Sequence, residues 1–239
     1  MYSEAKVHFI HKLENTAVRD DPFPFLYSEN VFPEEFYAQI QKNLPEDEAY
    51  EPITKSGRVG MNEPGAVNRG IISLLPTTVG GFDPRIRDFW GGFLDILTCA
   101  EFLETFIGKF IPTLQERFGD KLDALQIGLD PLLIRDRANY SLGPHTDQPC
   151  RFATFIFYFP ATDENPHLGT SFYVPKERGW SCEGGPHHKH EIFDRVFTAD
   201  YRPNTVIGFP KSLISFHGVE PVEDTGVNRN LLHIAFGYR

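Results

Sequence analysis

The chain has 239 residues, 33 acidic against 23 basic side chains and a formal net charge of −10, a balance that disfavours nucleic acid or an anionic membrane as its main partner. No apolar run is long enough to span a bilayer, and Met1 to Lys6 lack the charged-then-apolar pattern of a secretory signal. Cys99, Cys150 and Cys182 are widely spaced with no C-x-x-C pair, which reads as reduced thiols of a cytoplasmic protein and not as a disulfide framework.

Twenty-two phenylalanines, 20 glycines and 19 prolines lean the chain towards β-structure with many turns, and the length suits one domain over 1–239 with a sizeable core. Residues 1–21 are polar and mixed, an arm or a short helix. Pro22-Phe23-Pro24-Phe25-Leu26-Tyr27 reads as extended, because proline keeps its predecessor out of the helical region. Pro33-Glu34-Glu35 opens a helix, with Phe36, Ile40 and Leu44 at helical spacing and Pro45 ending it. Residues 45–70 show little periodicity and read as a long connection, a lid or rim. Asp83-Pro84 starts a second helix with Phe89, Trp90, Phe93, Leu94 and Leu97 as its apolar stripe. Thr98-Cys99-Ala100-Glu101 has capping-box form and opens a third, lined by Phe102, Phe106, Phe110 and Leu114, with a kink or split at Pro112.

The character changes at Leu122. Short β-rich runs follow at Leu125–Leu129, Leu132–Arg137, Phe152–Phe159, Thr170–Val174, Thr205–Phe209, Leu213–His217 and Leu231–Tyr238, a pattern expected of a sandwich or barrel. The polar insert between Pro175 and Arg202 reads as a rim loop. The predicted architecture is mainly β with α: a helical, lid-bearing part over 1–121 whose helices pack outside one sheet, then a barrel core over 122–239.

Candidate chemistry centres on Pro144-His145-Thr146-Asp147. His145 and Asp147 are two residues apart, so on an extended strand they face the same side. His217 closes an apolar run far downstream, and Arg229 enters the last strand twelve residues later. Each element alone also fits a bland reading: a solvated turn for H-x-D, a core or surface histidine for His217, a structural ion pair for Arg229. Together, two imidazoles and a carboxylate form the facial triad suited to non-haem Fe(II), with positions left open. An arginine entering a barrel needs an anionic partner.

In this order the residues resemble the Fe(II)- and 2-oxoglutarate-dependent oxygenases, most closely the prolyl-hydroxylase-like branch. The segments that carry the resemblance are Pro24 to Phe36, Arg137 to Asp147, and His217-Gly218-Val219-Glu220-Pro221-Val222 through Arg229. It is clear over roughly 122–239 and thin over 37–121. It implies a double-stranded β-helix (jelly-roll, cupin-like) core with Fe(II) on His145, Asp147 and His217. Arg229 would pair with the distal carboxylate of the co-substrate 2-oxoglutarate, as the planar guanidinium fork suits a carboxylate. Tyr140, and with less support Asn139 and Tyr158, would face the co-substrate, although Tyr158 equally fits the core. O₂ would be the second co-substrate and ascorbate a reductant. The implied reaction is hydroxylation of an unactivated C–H in a small polar metabolite or an amino-acid or protein side chain, giving succinate and CO₂. One departure stands out: many relatives carry a hydroxyl residue two places after the arginine, where this chain has Leu231.

Arg151, Arg178 and Trp180 are candidate substrate contacts at the mouth, the arginines attractive to a carboxylate or phosphate; surface charge and loop packing are their alternative readings. His187-His188-Lys189-His190 reads as an exposed loop without a partnering carboxylate. No P-loop or serine nucleophile elbow occurs. The rival functions are another metal-dependent cupin-type enzyme and a binding or sensing barrel without turnover. The rim loops over 45–80 and 160–204 should set specificity, and the oligomeric state is not legible.

Overall fold

The structure, a computed structural model, describes residues 1–58, 65–224 and 226–238. Its helices are α1 (Tyr2–Asn15), α2 (Glu34–Lys42), α3 (Pro76–Val79), α4 (Pro84–Leu97) and α5 (Ala100–Phe118). Its strands are β1 (Leu26–Glu29), β2 (Glu51–Pro52), β3 (Arg69–Ser73), β4 (Ile127–Asp136), β5 (Leu142–His145), β6 (Arg151–Tyr158), β7 (Ser171–Pro175), β8 (Phe193–Thr198), β9 (Thr205–Pro210), β10 (His217–Val219) and β11 (Arg229–Tyr238). The strands form two antiparallel sheets, one ordered β1-β9-β6-β11-β4-β3-β2 and the other β5-β10-β7-β8.

Period-two alternation in the central strands divides the core in two. Phe155 and Phe157 of β6 and Leu232, Ile234 and Phe236 of β11 point outward, under the aromatic stripes of α1, α2, α4 and α5. Ile156 and Tyr158 of β6 and Leu231 of β11 point the other way, to meet Phe172 and Val219 of the smaller sheet. Both faces of β6 are therefore buried, which explains why its sequence is a continuous apolar run. The phenylalanine excess is spent mainly at the helix–sheet layer, where Phe93 touches Phe32, Phe36, Trp90, Phe157 and Phe159. The Trp90 indole N–H donates to the Asn43 carbonyl at 2.9 Å, so this large ring is buried without an orphaned donor.

Several expectations need correction. The two strands predicted across Leu125–Arg137 are one, β4, with Pro131 inside it. β3 ends at Ser73, opposite Leu132, and the Pro131 carbonyl accepts from Leu74 N–H on that same side. The missing proline N–H thus faces a side where no strand continues, the setting in which a sheet tolerates proline. The connection over 45–70 holds β2 and the start of β3, so the first part of the chain is hydrogen-bonded into the larger sheet; residues 59–64 of the expected lid lie outside the described residues. The insert over 175–202 contains β8, an edge strand whose side chains are mostly exposed and so show no apolar alternation. The strand expected over Leu213–His217 is displaced. Leu213 and Ile214 are exposed in a turn pinned by Ser212 and Ser215, and β10 begins at His217.

The helices follow the reading more closely, and residues 2–15 are helical. The Asp83 carboxylate caps α4 by accepting from Arg85 N–H. The capping box at Thr98 does not form: the Thr98 hydroxyl donates back to Leu94 O, and Glu101 pairs with Lys6. Pro112 does break the regular helix, with Phe110 at φ −116° and ψ 16°.

Candidate metal centre

His145 ends β5 and His217 begins β10, and the two strands pair with these residues directly opposite each other. Asp147 lies two residues beyond His145. One ligand atom from each of His145, Asp147 and His217 falls within 4.8 Å of the others. Both imidazoles are oriented alike: Nδ1 of His145 lies 3.0 Å from Gly143 O, and Nδ1 of His217 lies 3.0 Å from Ser215 O. A carbonyl only accepts, so Nδ1 carries a proton in each ring and Nε2 is the nitrogen left to face a metal. Nε2 of His217 stands 3.9 Å from Asp147 Oδ1.

The other Asp147 oxygen, Oδ2, accepts from the Thr154 hydroxyl at 2.6 Å. Thr154 sits fully buried in the larger sheet, so this bond ties the aspartate across to the opposite sheet. Burial alone would raise the Asp147 carboxyl, but His217, His145 and the Thr154 bond outweigh it and hold Asp147 well below the usual carboxylate range. Burial, reinforced by His217, pushes the His145 imidazole well below its ordinary value and keeps it neutral. An ionised carboxylate and a neutral imidazole are the protonation states that ligate metal.

Arg229 is 1% exposed and donates to Asp136 Oδ2 at 2.7 Å. It also donates to the Leu168 carbonyl. Arg69 grips the same carboxylate with two bonds of 2.6 and 2.8 Å and lies over the Tyr140 ring at 4.0 Å. The sheet register explains the cluster, since Arg69, Asp136 and Arg229 lie side by side on β3, β4 and β11. The partner expected for Arg229 is thus, in this structure, first a buried aspartate shared with a second arginine.

The site opens into a cavity of about 490 Å³ lined by, among others, His145, Asp147, Arg69, Tyr140, Arg58 and Arg151. A smaller adjoining cavity of about 60 Å³ is lined by the triad, Arg69, Arg229, Thr170 and Leu231. His233 lines both. Its Nδ1 is buried with no hydrogen-bond partner among the described residues, and burial lowers its imidazole to about 4, so it is neutral at pH 7.

Among the remaining candidates, Tyr140 and Arg151 line the main cavity. Tyr158 is buried behind Arg229, its hydroxyl accepting from Thr170 N–H. Asn139 is exposed in a turn at φ +66°. Arg178 is exposed after β7 and lines neither cavity. Trp180 packs on Phe193, Phe216 and His188.

The histidine loop, expected to be exposed, is docked beside the triad. The His187 ring centre lies 4.7 Å from that of His145. His188 N–H donates to Pro144 O at 2.9 Å. A Cβ on Gly143 would lie 2.1 Å from His188 O, so this close approach of the two backbones requires glycine.

Arg69, Asp136, Thr154 and His233 are the site residues that the sequence reading missed. Thr154 and His233 had a signal, a polar residue inside an apolar strand run. Arg69 had none.

No family model and no curated protein matches this sequence. Solved structures do match over nearly the whole chain. An oxidoreductase of the 2OG-Fe(II) oxygenase family from Burkholderia pseudomallei aligns with a TM-score of 0.50 and 14% identity, covering 97% of this chain and 89% of that one. A prolyl-4-hydroxylase from Pseudomonas putida aligns with a TM-score of 0.51 and 11% identity, covering 98% of each. The fold is that of the 2OG-Fe(II) oxygenases. At these identities the oxygenase fold is what the proteins share. Among the described residues, no helix is long and apolar enough to cross a membrane.

Proposed function

We propose that the protein is a 2-oxoglutarate- and O₂-dependent Fe(II) dioxygenase that hydroxylates a small polar metabolite or an amino-acid side chain. The observation that carries this is the convergence, within an oxygenase fold, of His145, Asp147 and His217 with both Nε2 atoms freed by Nδ1 bonds. Two nitrogens and one carboxylate oxygen are the donor set that suits non-haem iron and leaves positions for co-substrates. When bound, Fe(II) with 2-oxoglutarate supplies the oxidising chemistry.

The chain's own residues hold and orient. Thr154 fixes the Asp147 carboxylate, and the Gly143 and Ser215 carbonyls fix the two imidazoles. Arg69 and Arg229 share one carboxylate, so the buried row carries one excess positive charge, matched to the distal carboxylate of 2-oxoglutarate. Leu231 supplies no hydroxyl beside Arg229, and Arg69 takes that second role. The Tyr140 ring lies beneath the Arg69 guanidinium and positions it. The neutral His233 imidazole offers a hydrogen bond at the junction of the two cavities. Ile134, Ile156 and Leu231 form the apolar part of the inner cavity's wall.

The two sheets are read as the faces of a jelly-roll core. Residues 1–121 and 122–239 are read as one domain, because β3 brings Arg69 into the larger sheet and onto Asp136. The three unpaired cysteines fit a reducing, cytoplasmic setting.

The test is anaerobic. Metal-free protein is loaded with Fe(II) and titrated with 2-oxoglutarate while the visible charge-transfer band of the chelate is followed. Wild type should develop the band, His217→Ala should lack it, and Arg229→Ala should need a much higher 2-oxoglutarate concentration. A folded wild type without the band rejects the proposal.

A further inference from the structure

Among the described residues, the main cavity is lined by more positive charge than metal and co-substrate together require. The charges that line it among the described residues, taken with their ion-pair partners, fall into three local groups beside Lys189 and Glu191. The buried row of Arg69 and Arg229 on Asp136 has a net charge of +1. The triad's Asp147 with a divalent metal has the same. The third group is Arg58 and Arg151 on Asp130: Arg58 bonds both carboxylate oxygens, at 2.5 and 2.8 Å, and Arg151 reaches one at 3.2 Å. Burial works against ionisation of Asp130, but the two arginines overcome it and hold its carboxyl below the usual range. This group too has a net charge of +1.

2-Oxoglutarate is a dianion. On the oxygenase reading, on which this inference rests, its two carboxylates neutralise the metal group and the buried arginine row. Among the described residues lining the cavity, the third charge stays uncompensated. Arg58 and Arg151 both line the 490 Å³ cavity, and their side chains are 32% and 26% exposed and so accessible to a ligand. Their surplus sits in a chain of net charge −10. Lys189 and Glu191, the other charged residues of that cavity, are exposed and offset each other. A similar grouping, Arg135 and Arg137 on Asp47, lies away from the cavity on a half-exposed carboxylate.

We propose that the substrate carries a carboxylate or phosphate group and that Arg58 and Arg151, held apart by Asp130, receive it. Each guanidinium keeps N–H donors beyond those bonded to Asp130, so an anion can accept one charge-assisted bond from each. The volume fits a small metabolite. The hydroxylated carbon would belong to the same molecule, between this anion site and the triad.

The experiment titrates sodium phosphate, and separately sodium acetate, into anaerobic protein already saturated with Fe(II) and 2-oxoglutarate, by calorimetry at constant ionic strength. Saturation keeps the probe off Arg69 and Arg229. Wild type should bind at least one anion, and the tighter of the two assigns the substrate as a phosphate ester or a carboxylic acid. Arg58→Gln and Arg151→Gln should each weaken binding about tenfold or more, roughly the worth of one charge-assisted hydrogen bond. Asp130→Asn should tighten it several-fold, a direction that a folding defect does not mimic. Arg87→Gln, on the exposed face of α4, should change nothing.

Wild type without anion binding, or arginine variants with unchanged affinity, would overturn the inference while a normal charge-transfer band leaves the oxygenase reading standing. Arginine-dependent anion binding in a protein that forms no band would overturn both the oxygenase reading and the substrate role.

Discussion

Asp136→Asn tests the electrostatic row on which the inner cavity is built. The carboxylate is fully buried and accepts three bonds, two from Arg69 and one from Arg229, at 2.6 to 2.8 Å. Asparagine has nearly the same shape but presents one carbonyl oxygen and one NH₂, so one arginine finds a donor where it had an acceptor. Both guanidiniums, 11% and 1% exposed in their side chains, then lack a counter-charge. Leaving one buried ion uncompensated costs about 3–5 kcal/mol. In a chain of this length each kcal/mol shifts Tm by roughly 2–4 °C, so a loss of about 4 kcal/mol lowers Tm by roughly 8–16 °C. The assay is thermal unfolding of metal-free protein, with wild type and the double variant Asp136→Asn/Arg69→Met alongside. The double variant removes one of the two stranded charges and should recover part of the loss. A single variant that unfolds within about 3 °C of wild type would refute the reasoning, because the guanidiniums would then be solvated and the row would not be a buried ion cluster.

Three further outcomes follow from the same geometry. Thr154→Val removes the hydroxyl that orients Asp147 and should weaken Fe(II) affinity about 10–100-fold, the usual effect of losing a hydrogen bond behind a metal ligand; competition with a colorimetric chelator measures it, and unchanged affinity would show that Asp147 needs no support from the larger sheet. Metal-free protein should lose stability as pH falls below about 6.5. His145 and His233 are lowered in the folded state, so the unfolded chain takes up protons first, and their contribution is present above the unfolded value and lost as pH falls, for His233 down to about 4. Unfolding with a chelator between pH 7.5 and 4.5 checks the sign, and His233→Gln should flatten the slope. Gly143→Ala forces the His188 backbone away, so hydrogen exchange at the His188 amide should accelerate at least tenfold; unchanged exchange would contradict the docking of that loop on β5.

What the sequence determined by itself is what local spacing controls. The two-residue interval of His145 and Asp147, the helical stripe of Phe89, Trp90 and Phe93, and the unbroken apolar run of β6 each report one element and the side of it that a residue faces. These sufficed for four of the helices, for the strand-rich second half, and for the triad and Arg229 as candidates, but not for β2 and β3, which with β1 interleave with the helices. Tertiary structure decided how the elements are placed beside one another. Arg69 carries no local mark, and only the register of β3 on β4 puts it next to Asp136 and thereby next to Arg229. The docking of the histidine loop depends on a backbone approach at Gly143, forty-five residues from His188 in the chain. Edge strand β8 was illegible because its exposed side chains need no apolar alternation. Register, edge position and close approach are long-range facts: they arise when distant segments pack, and no window of sequence encodes them.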